Sequence, residues 1–261
     1  GGPEVEARRT NVFRGLAKVP LLIAQDAEWG LSMRLDSTIR FPRELMLGAI
    51  QNDQLIYEFG QQMARECKRI GVNVSFSPVV DVNSNPLNPV IGDRSFGQDK
   101  YNVANKGIMF MKGLQDAGVM ACAKHFPGHG DTDQDSHKTL PTVHGSRNRI
   151  DSVELFPFRK LIDAGVGSVM VAHLNIPALD TTSNLPSTLS KKIVTGLLKV
   201  DLRFKGLSFT DAMNMKGISN YSDPGEVDLQ ALLAGNDILL FSGNVPMAIS
   251  RILQAVQHQQ H

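Results

Sequence analysis

The chain has 261 residues, of which 42% are hydrophobic and 20% are charged, a balance typical of a folded globular chain rather than a disordered one. Its 27 Lys and Arg residues nearly cancel its 26 Asp and Glu residues, which leaves a formal net charge of +1. We therefore expect neither nucleic acid nor an anionic membrane surface as a partner. No apolar run approaches the roughly 20 residues that span a bilayer, so membrane insertion is not expected.

Six short apolar runs recur along the chain, and each is followed by a segment with helical periodicity. The runs cover residues 21–25, 72–80, 119–124, 168–172, 207–210 and 237–241. Helices are predicted over 53–70 and 102–117, after the N-caps Asp151 and Ser190, over 227–233, and from Pro246 onward. Strand–helix alternation with continuous apolar strands predicts a parallel sheet covered by helices.

Polar residues follow each of the six runs, and this feature separates two possible architectures. They are Asp26, Asp81, the pair Lys124 and His125, His173, Asp211 and Ser242. An open, doubly wound sheet concentrates its chemistry at one crevice, whereas a closed barrel brings all strand ends to one mouth. The pattern favours an α/β fold of the (β/α)8 TIM-barrel type, with about six βα units in this chain.

The ends of the chain bear on its domain organisation. It starts at Gly1 rather than at a methionine and ends in a polar tail over 257–261. We expect residues 1–261 to form a single catalytic barrel domain whose first strands are missing or supplied by another segment. The compartment stays open between cytoplasm and periplasm.

The densest cluster of reactive side chains lies over 124–137 and reads Lys-His-Phe-Pro-Gly-His-Gly-Asp-Thr-Asp-Gln-Asp-Ser-His. Lys124 and His125 lie at the end of a predicted strand, and Pro and Gly then form a loop. Asp135 and His137 are two residues apart, so they face the same way in an extended backbone. The carboxylate can then bond one imidazole nitrogen and leave the other to give or take a proton.

Three other motifs place charged groups at the same predicted mouth. Asp211 directly follows an apolar strand in Gly-Leu-Ser-Phe-Thr-Asp-Ala-Met, where a carboxylate can attack an anomeric carbon. Asp26 opens Asp-Ala-Glu-Trp-Gly, with Arg34 downstream, and can accept bonds from two sugar hydroxyls. Arg94 lies in the glycine-bounded loop Gly-Asp-Arg-Ser-Phe-Gly.

Together these motifs resemble glycoside hydrolase family 3, in particular the β-N-acetylglucosaminidase branch that trims peptidoglycan fragments. The resemblance implies a retaining exo-glycosidase in which Asp211 is the nucleophile and His137, paired with Asp135, is the acid/base. It implies binding of N-acetylglucosamine by five residues, which are Asp26, Arg34, Arg94, Lys124 and His125. The implied partner is a small N-acetylglucosamine-containing glycan, with phosphate as a possible acceptor, and no cofactor is expected.

Other interpretations stay open at this point. A β-glucosidase or an N-acetylglucosaminide phosphorylase of the same family is the first alternative, and a metal-dependent hydrolase or a non-catalytic sugar-binding relic is the second. No metal ligands are assigned, since Pro127 and Gly128 interrupt any helix that would align His125 with His129. We interpret Asp81 as a turn-closing residue, His129 as a loop-stabilising residue and His173 as a hydrogen-bonding residue behind the site.

Overall fold

A curved layer of parallel strands forms the centre of the chain in the computed structural model, which describes residues 1–134, 139–219 and 221–258. Within those residues the strands are β1 (Ala24–Gln25), β2 (Val74–Ser75), β3 (Met120–Phe126), β4 (Ser168–Val171) and β5 (Leu207–Thr210). They pair in the order β1-β2-β3-β4-β5, each parallel to the next. The predicted incomplete (β/α)8-type barrel is confirmed.

The sixth predicted strand, over 237–241, continues the layer beyond β5 without becoming a regular strand. Ile238 forms a parallel bridge with Phe209. The Thr210 N–H donates to the Ile238 carbonyl at 2.9 Å, and the Met213 N–H donates to the Leu240 carbonyl at 2.8 Å. All six apolar runs therefore follow one another around the barrel in chain order.

Helices cover the outer face of the layer. They are α1 (Pro3–Leu16), α2 (Glu44–Gly48), α3 (Gln54–Arg69), α4 (Lys100–Asp116), α5 (Arg147–Ser152), α6 (Leu155–Asp163), a π-helix (Lys192–Asp201), α7 (Lys216–Ser219), α8 (Glu226–Ala234) and α9 (Val245–His258). Ser190 caps the π-helix as predicted, because its Oγ accepts from the Ile193 N–H at 3.2 Å. The predicted cap at Asp151 is wrong: Asp151 lies inside α5, whose N-cap is Ser146.

Helices α3 and α4 cross with their backbones in close contact. A Cβ added at Gly113 would lie 2.1 Å from the Tyr57 carbonyl oxygen, and one added at Gly60 would lie 2.5 Å from the Phe110 carbonyl oxygen. Phe59 and Phe110 pack beside this crossing with ring centroids 4.8 Å apart. The two glycines thus allow α3 and α4 to pack as one layer behind the strands that carry the site.

The structure also bears on membrane insertion. Over residues 1–134, 139–219 and 221–258, each helix is too short or too polar to cross a bilayer.

Candidate active site

A cavity of about 820 Å³ lies at the carboxyl ends of the strands. It is lined by residues that immediately follow β1 or β5 or that end β3, which are the positions where barrels of this type carry their chemistry. Its charged lining comprises Glu6, Arg9, Asp26, Glu28, Arg34, Arg94, Lys124 and Asp211, with the imidazoles of His125 and His129. The described residues among the predicted site groups therefore share one cavity.

Asp26 and Lys124 form the first part of a charged cluster on one wall. Lys124 Nζ lies 3.0 Å from Asp26 Oδ1, and Arg34 Nη2 donates to Asp26 Oδ2. Burial alone would raise the pKa of Asp26, but Lys124 and Arg34 outweigh it and hold that pKa below its usual range. The group is an ionised carboxylate beside two cationic donors, and a sugar hydroxyl can donate to the former while accepting from the latter.

Glu28 holds the second part of the cluster together. Its side chain is fully buried, with Oε1 2.8 Å from Lys124 Nζ and 2.7 Å from Arg94 Nη2. Arg94 Nε donates to Oε2 at 2.9 Å, which makes the Arg94–Glu28 pair bidentate. Burial raises the pKa of Glu28, but Lys124 and Arg94 reverse the shift and lower it to about 2.

His125 is oriented by Asp81, which lies beneath the cavity. His125 Nδ1 and Asp81 Oδ2 are 2.7 Å apart, and the other ring nitrogen lies 3.3 Å from Arg94 Nη2. Asp81 also accepts from the His129 backbone N–H at 2.7 Å. Burial raises the pKa of Asp81, but His125 and His129 lower it below its usual range. The interpretation of Asp81 as a turn residue is wrong, because its carboxylate holds His125 and the following loop.

Asp211 follows β5 and is held by the backbone. Its own N–H donates to the Val171 carbonyl at 2.8 Å, and its Oδ1 accepts from the Ala212 N–H at 2.8 Å. Burial raises the pKa of Asp211, whereas His173 and His125 lower it further than burial raises it. The result is a carboxylate that is ionised at neutral pH and available as a nucleophile.

His173 supports the segment that carries Asp211. Its Nε2 lies 3.1 Å from the Ala212 carbonyl oxygen and its Nδ1 lies 2.6 Å from Thr188 Oγ1. The predicted hydrogen-bonding role of His173 is confirmed.

His129 holds the loop that follows β3. Its Nδ1 is 2.7 Å from Thr132 Oγ1, which confirms the predicted loop-stabilising role. Burial lowers the pKa of His129 to about 4, so its ring is neutral at physiological pH. The loop is therefore held as far as Thr132, whose carbonyl oxygen also accepts from Asn85 Nδ2 at 3.2 Å. Asp135 and His137, the predicted acid/base pair, lie outside the described residues.

Two residues of this arrangement, Glu28 and Asp81, were not predicted as site residues. Glu28 is two residues after Asp26, and the i, i+2 spacing at a strand end could have indicated that both carboxylates face the cavity. Asp81 was noted at a predicted strand end, but nothing in the sequence indicated its partners, since His125 and His129 are more than 40 residues away in the chain.

The fold and the cavity define an α/β barrel whose site combines a half-buried, ionised carboxylate with a charged cluster suited to hydroxyl groups. The sequence model of the glycosyl hydrolase family 3 N-terminal domain matches residues 4–260. The chain belongs to glycosyl hydrolase family 3, which confirms the resemblance drawn from its motifs.

Named relatives agree with this assignment. The chain is 36% identical to "Beta-hexosaminidase A" of Pseudoalteromonas piscicida and 37% identical to "Beta-hexosaminidase" of Nitrosomonas eutropha, with 94% and 95% of the chain covered. A family 3 β-N-acetylglucosaminidase structure from Paenibacillus sp. superposes with a TM-score of 0.92 and 40% identity over 99% of the chain.

The chain spans only part of these relatives. It covers 43% of the Pseudoalteromonas protein, 72% of the Nitrosomonas protein and 51% of the Paenibacillus chain.

Proposed function

We propose that the protein is a retaining exo-β-N-acetylglucosaminidase that removes terminal N-acetylglucosamine from peptidoglycan-derived or other β-linked glycans. One observation carries the proposal: the half-buried, ionised Asp211 lines the same cavity as the hydroxyl-binding cluster of Asp26 and Lys124. The relatives named as β-hexosaminidases support the sugar class.

The cluster provides the groups that hold the terminal sugar. Asp26 accepts bonds from adjacent hydroxyls, Lys124 and Arg34 donate to hydroxyl oxygens, and Arg94 and His125 extend the donor surface toward Asp211. Because ion pairs hold these side chains before the substrate arrives, little conformational entropy is lost on binding.

The reaction takes place in two displacements. In the first, Asp211 attacks the anomeric carbon while the protonated His137 gives its proton to the leaving oxygen, so the glycosidic bond breaks and a glycosyl ester forms. In the second, neutral His137 takes a proton from water, and the resulting hydroxide displaces Asp211 from the anomeric carbon. Two inversions return the β configuration, and Asp135 keeps the imidazole of His137 in the required tautomer.

Histidine as the acid/base also permits a second acceptor. A neutral imidazole repels an incoming anion less than a carboxylate does, so phosphate can replace water in the second displacement. The product would then be a sugar 1-phosphate rather than free N-acetylglucosamine.

The deciding experiment measures release of 4-nitrophenol from the β-N-acetylglucosaminide and from the β-glucoside, each with and without phosphate. We expect the N-acetylglucosaminide to be the better substrate by kcat/KM, and Asp211→Asn to lower kcat at least about 10⁴-fold, the order seen when a covalent nucleophile is removed. Preference for the glucoside would contradict the sugar assignment, and an unchanged rate in Asp211→Asn would contradict the mechanism. Loss of activity on chelation would instead favour a metal-dependent hydrolase.

A further inference from the structure

Trp29 is the only tryptophan in the chain and lies on the wall of the catalytic cavity. It is half-buried and follows Glu28, whose carboxylate is locked by two ion pairs. Its carbonyl oxygen accepts from the Phe41 N–H at 3.1 Å. The backbone that carries the indole is therefore held in place by these contacts.

One face of the indole is already occupied. The guanidinium carbon of Arg43 lies 4.1 Å from the ring centroid, and Arg43 Nη1 is 3.0 Å from Asp93 Oδ1. This cation–π contact and ion pair fix the tilt of the ring. A ligand that contacted the ring from the cavity would therefore meet its opposite face or its edge.

The chemistry of a pyranose fits this arrangement. A sugar ring carries hydroxyl groups around its rim, while the axial C–H bonds give it an apolar face. The charged cluster around Asp26 can form hydrogen bonds with the hydroxyls but presents no apolar surface to the sugar. The indole is apolar, rigid and polarisable. A charged wall and an aromatic wall in one cavity together match both surfaces of a sugar.

We propose that Trp29 is a substrate-binding residue that stacks on the pyranose ring of the glycan, with Arg43 as its positioning residue. The inference rests on the proposed function, because it assigns a further contact to the same glycan in the same cavity. It adds the aromatic contact to the residues that determine affinity, and it predicts that KM rather than kcat depends on Trp29.

The test uses the 261-residue chain and its single tryptophan as an internal probe. Titration with N-acetylglucosamine should change the Trp29 fluorescence saturably and protect it from acrylamide quenching. Trp29→Ala should raise KM for the 4-nitrophenyl β-N-acetylglucosaminide about tenfold, equivalent to about 1.4 kcal/mol, and Trp29→Phe should raise it less. The matched control is Phe13→Ala, which removes an aromatic ring that is 56% exposed on α1 and should leave KM unchanged.

Arg43 supplies an independent readout. Arg43→Gln should increase acrylamide quenching of Trp29 in the free protein, because one face of the ring loses its cover, and Arg43→Lys should restore part of the protection.

Three outcomes separate the proposals. Hydrolysis by the wild-type chain together with an unchanged KM in Trp29→Ala would overturn the role of Trp29 and leave the proposed function intact. Hydrolysis by the wild-type chain together with Trp29 fluorescence that does not change on titration with N-acetylglucosamine would also overturn the role of Trp29 and leave the proposed function intact. A wild-type chain that neither hydrolyses the substrate nor binds N-acetylglucosamine would overturn the proposed function, and the role of Trp29 with it.

Discussion

Glu28 bridges Lys124 and Arg94 with a single oxygen, Oε1, which lies 2.8 Å from Lys124 Nζ and 2.7 Å from Arg94 Nη2. The carboxylate is fully buried, so it stabilises the positive charges of both cations where water does not reach them. The residues that present hydrogen-bond donors to the cavity are thereby held in place from below.

Replacing Glu28 by Gln should destabilise the fold, because the buried Lys124 and the half-buried Arg94 then face a neutral amide, and only Lys124 keeps a second carboxylate, that of Asp26. We expect the free energy of unfolding in urea to fall by about 3–5 kcal/mol, the cost typical of breaking a buried ion pair by removing one partner. The control is Glu226→Gln, which breaks the solvent-accessible pair with Arg251 and should cost at most about 1 kcal/mol. Equal losses in the two variants would contradict the bridging role of Glu28.

Removing the imidazole of His137 should slow catalysis without impairing folding. His137→Gly is expected to lower kcat by about 10²–10⁴-fold, the contribution typical of general acid–base catalysis, and added imidazole should restore part of the rate. The loss should be larger for a glycan than for a 4-nitrophenyl substrate, whose leaving group needs little protonation. Asp135→Ala should cost less, because the proton carrier remains.

The control for His137 is His144→Gly, which changes an exposed histidine of the same segment and should retain the wild-type rate. A wild-type rate in His137→Gly or Asp135→Ala would remove that residue from the mechanism.

Asp81 should make the stability of the protein depend on pH. Its folded-state pKa is lowered, on balance, by His125 and His129 against the effect of burial, so the folded protein holds this proton less tightly than the unfolded chain does. The stabilisation is present above the unfolded pKa of about 4 and disappears as the pH falls through the folded value.

Asp81→Asn tests this dependence. At pH 7 we expect the free energy of unfolding of the variant to be about 1.5–3 kcal/mol lower than that of the wild type, the value of hydrogen bonds to a charged group. This difference in unfolding free energy should become smaller below about pH 4. Urea unfolding at several pH values measures it. A difference in unfolding free energy that increased as the pH fell would contradict a lowered pKa of the Asp81 carboxylate.

The close crossing of α3 and α4 predicts a sharp difference between two glycines. Gly113→Ala would place a methyl group 2.1 Å from the Tyr57 carbonyl oxygen, so the helices must separate. We expect a loss of about 2–3 kcal/mol and a lower Tm by about 5–10 °C. Gly15→Ala in α1 meets nothing within 4 Å and should be neutral or stabilising by up to about 1 kcal/mol. Thermal melts of both variants measure these changes in Tm.

The barrel could be predicted from the sequence because its strands are local apolar runs whose ends carry polar residues. That rule identified Asp26, Lys124 and Asp211, because each lies at a strand end and can be recognised without knowing which residue it contacts. Asp81 could not be assigned, because its function depends on a contact with His125 that only the packed sheet creates.

Local geometry was harder to predict than strand order. The helix of Lys192–Asp201 has a π-type backbone, which the apolar spacing of its side chains did not indicate. The pairing of β3 with β4 shifts between Ala123 and Phe126, and both Lys124 and His125 line the cavity although neighbours in a regular strand alternate.

The contact between the Ala212 N–H and Asp211 Oδ1 has an evolutionary consequence. The donor belongs to the peptide group, so every amino acid except proline can supply it. The orientation of the Asp211 carboxylate therefore tolerates substitution at position 212. In the proposed mechanism, Oδ2 is then the oxygen that would form the ester. The orientation of the proposed nucleophile thus depends on the chain path after β5, which His173 supports, and not on the side chain at position 212.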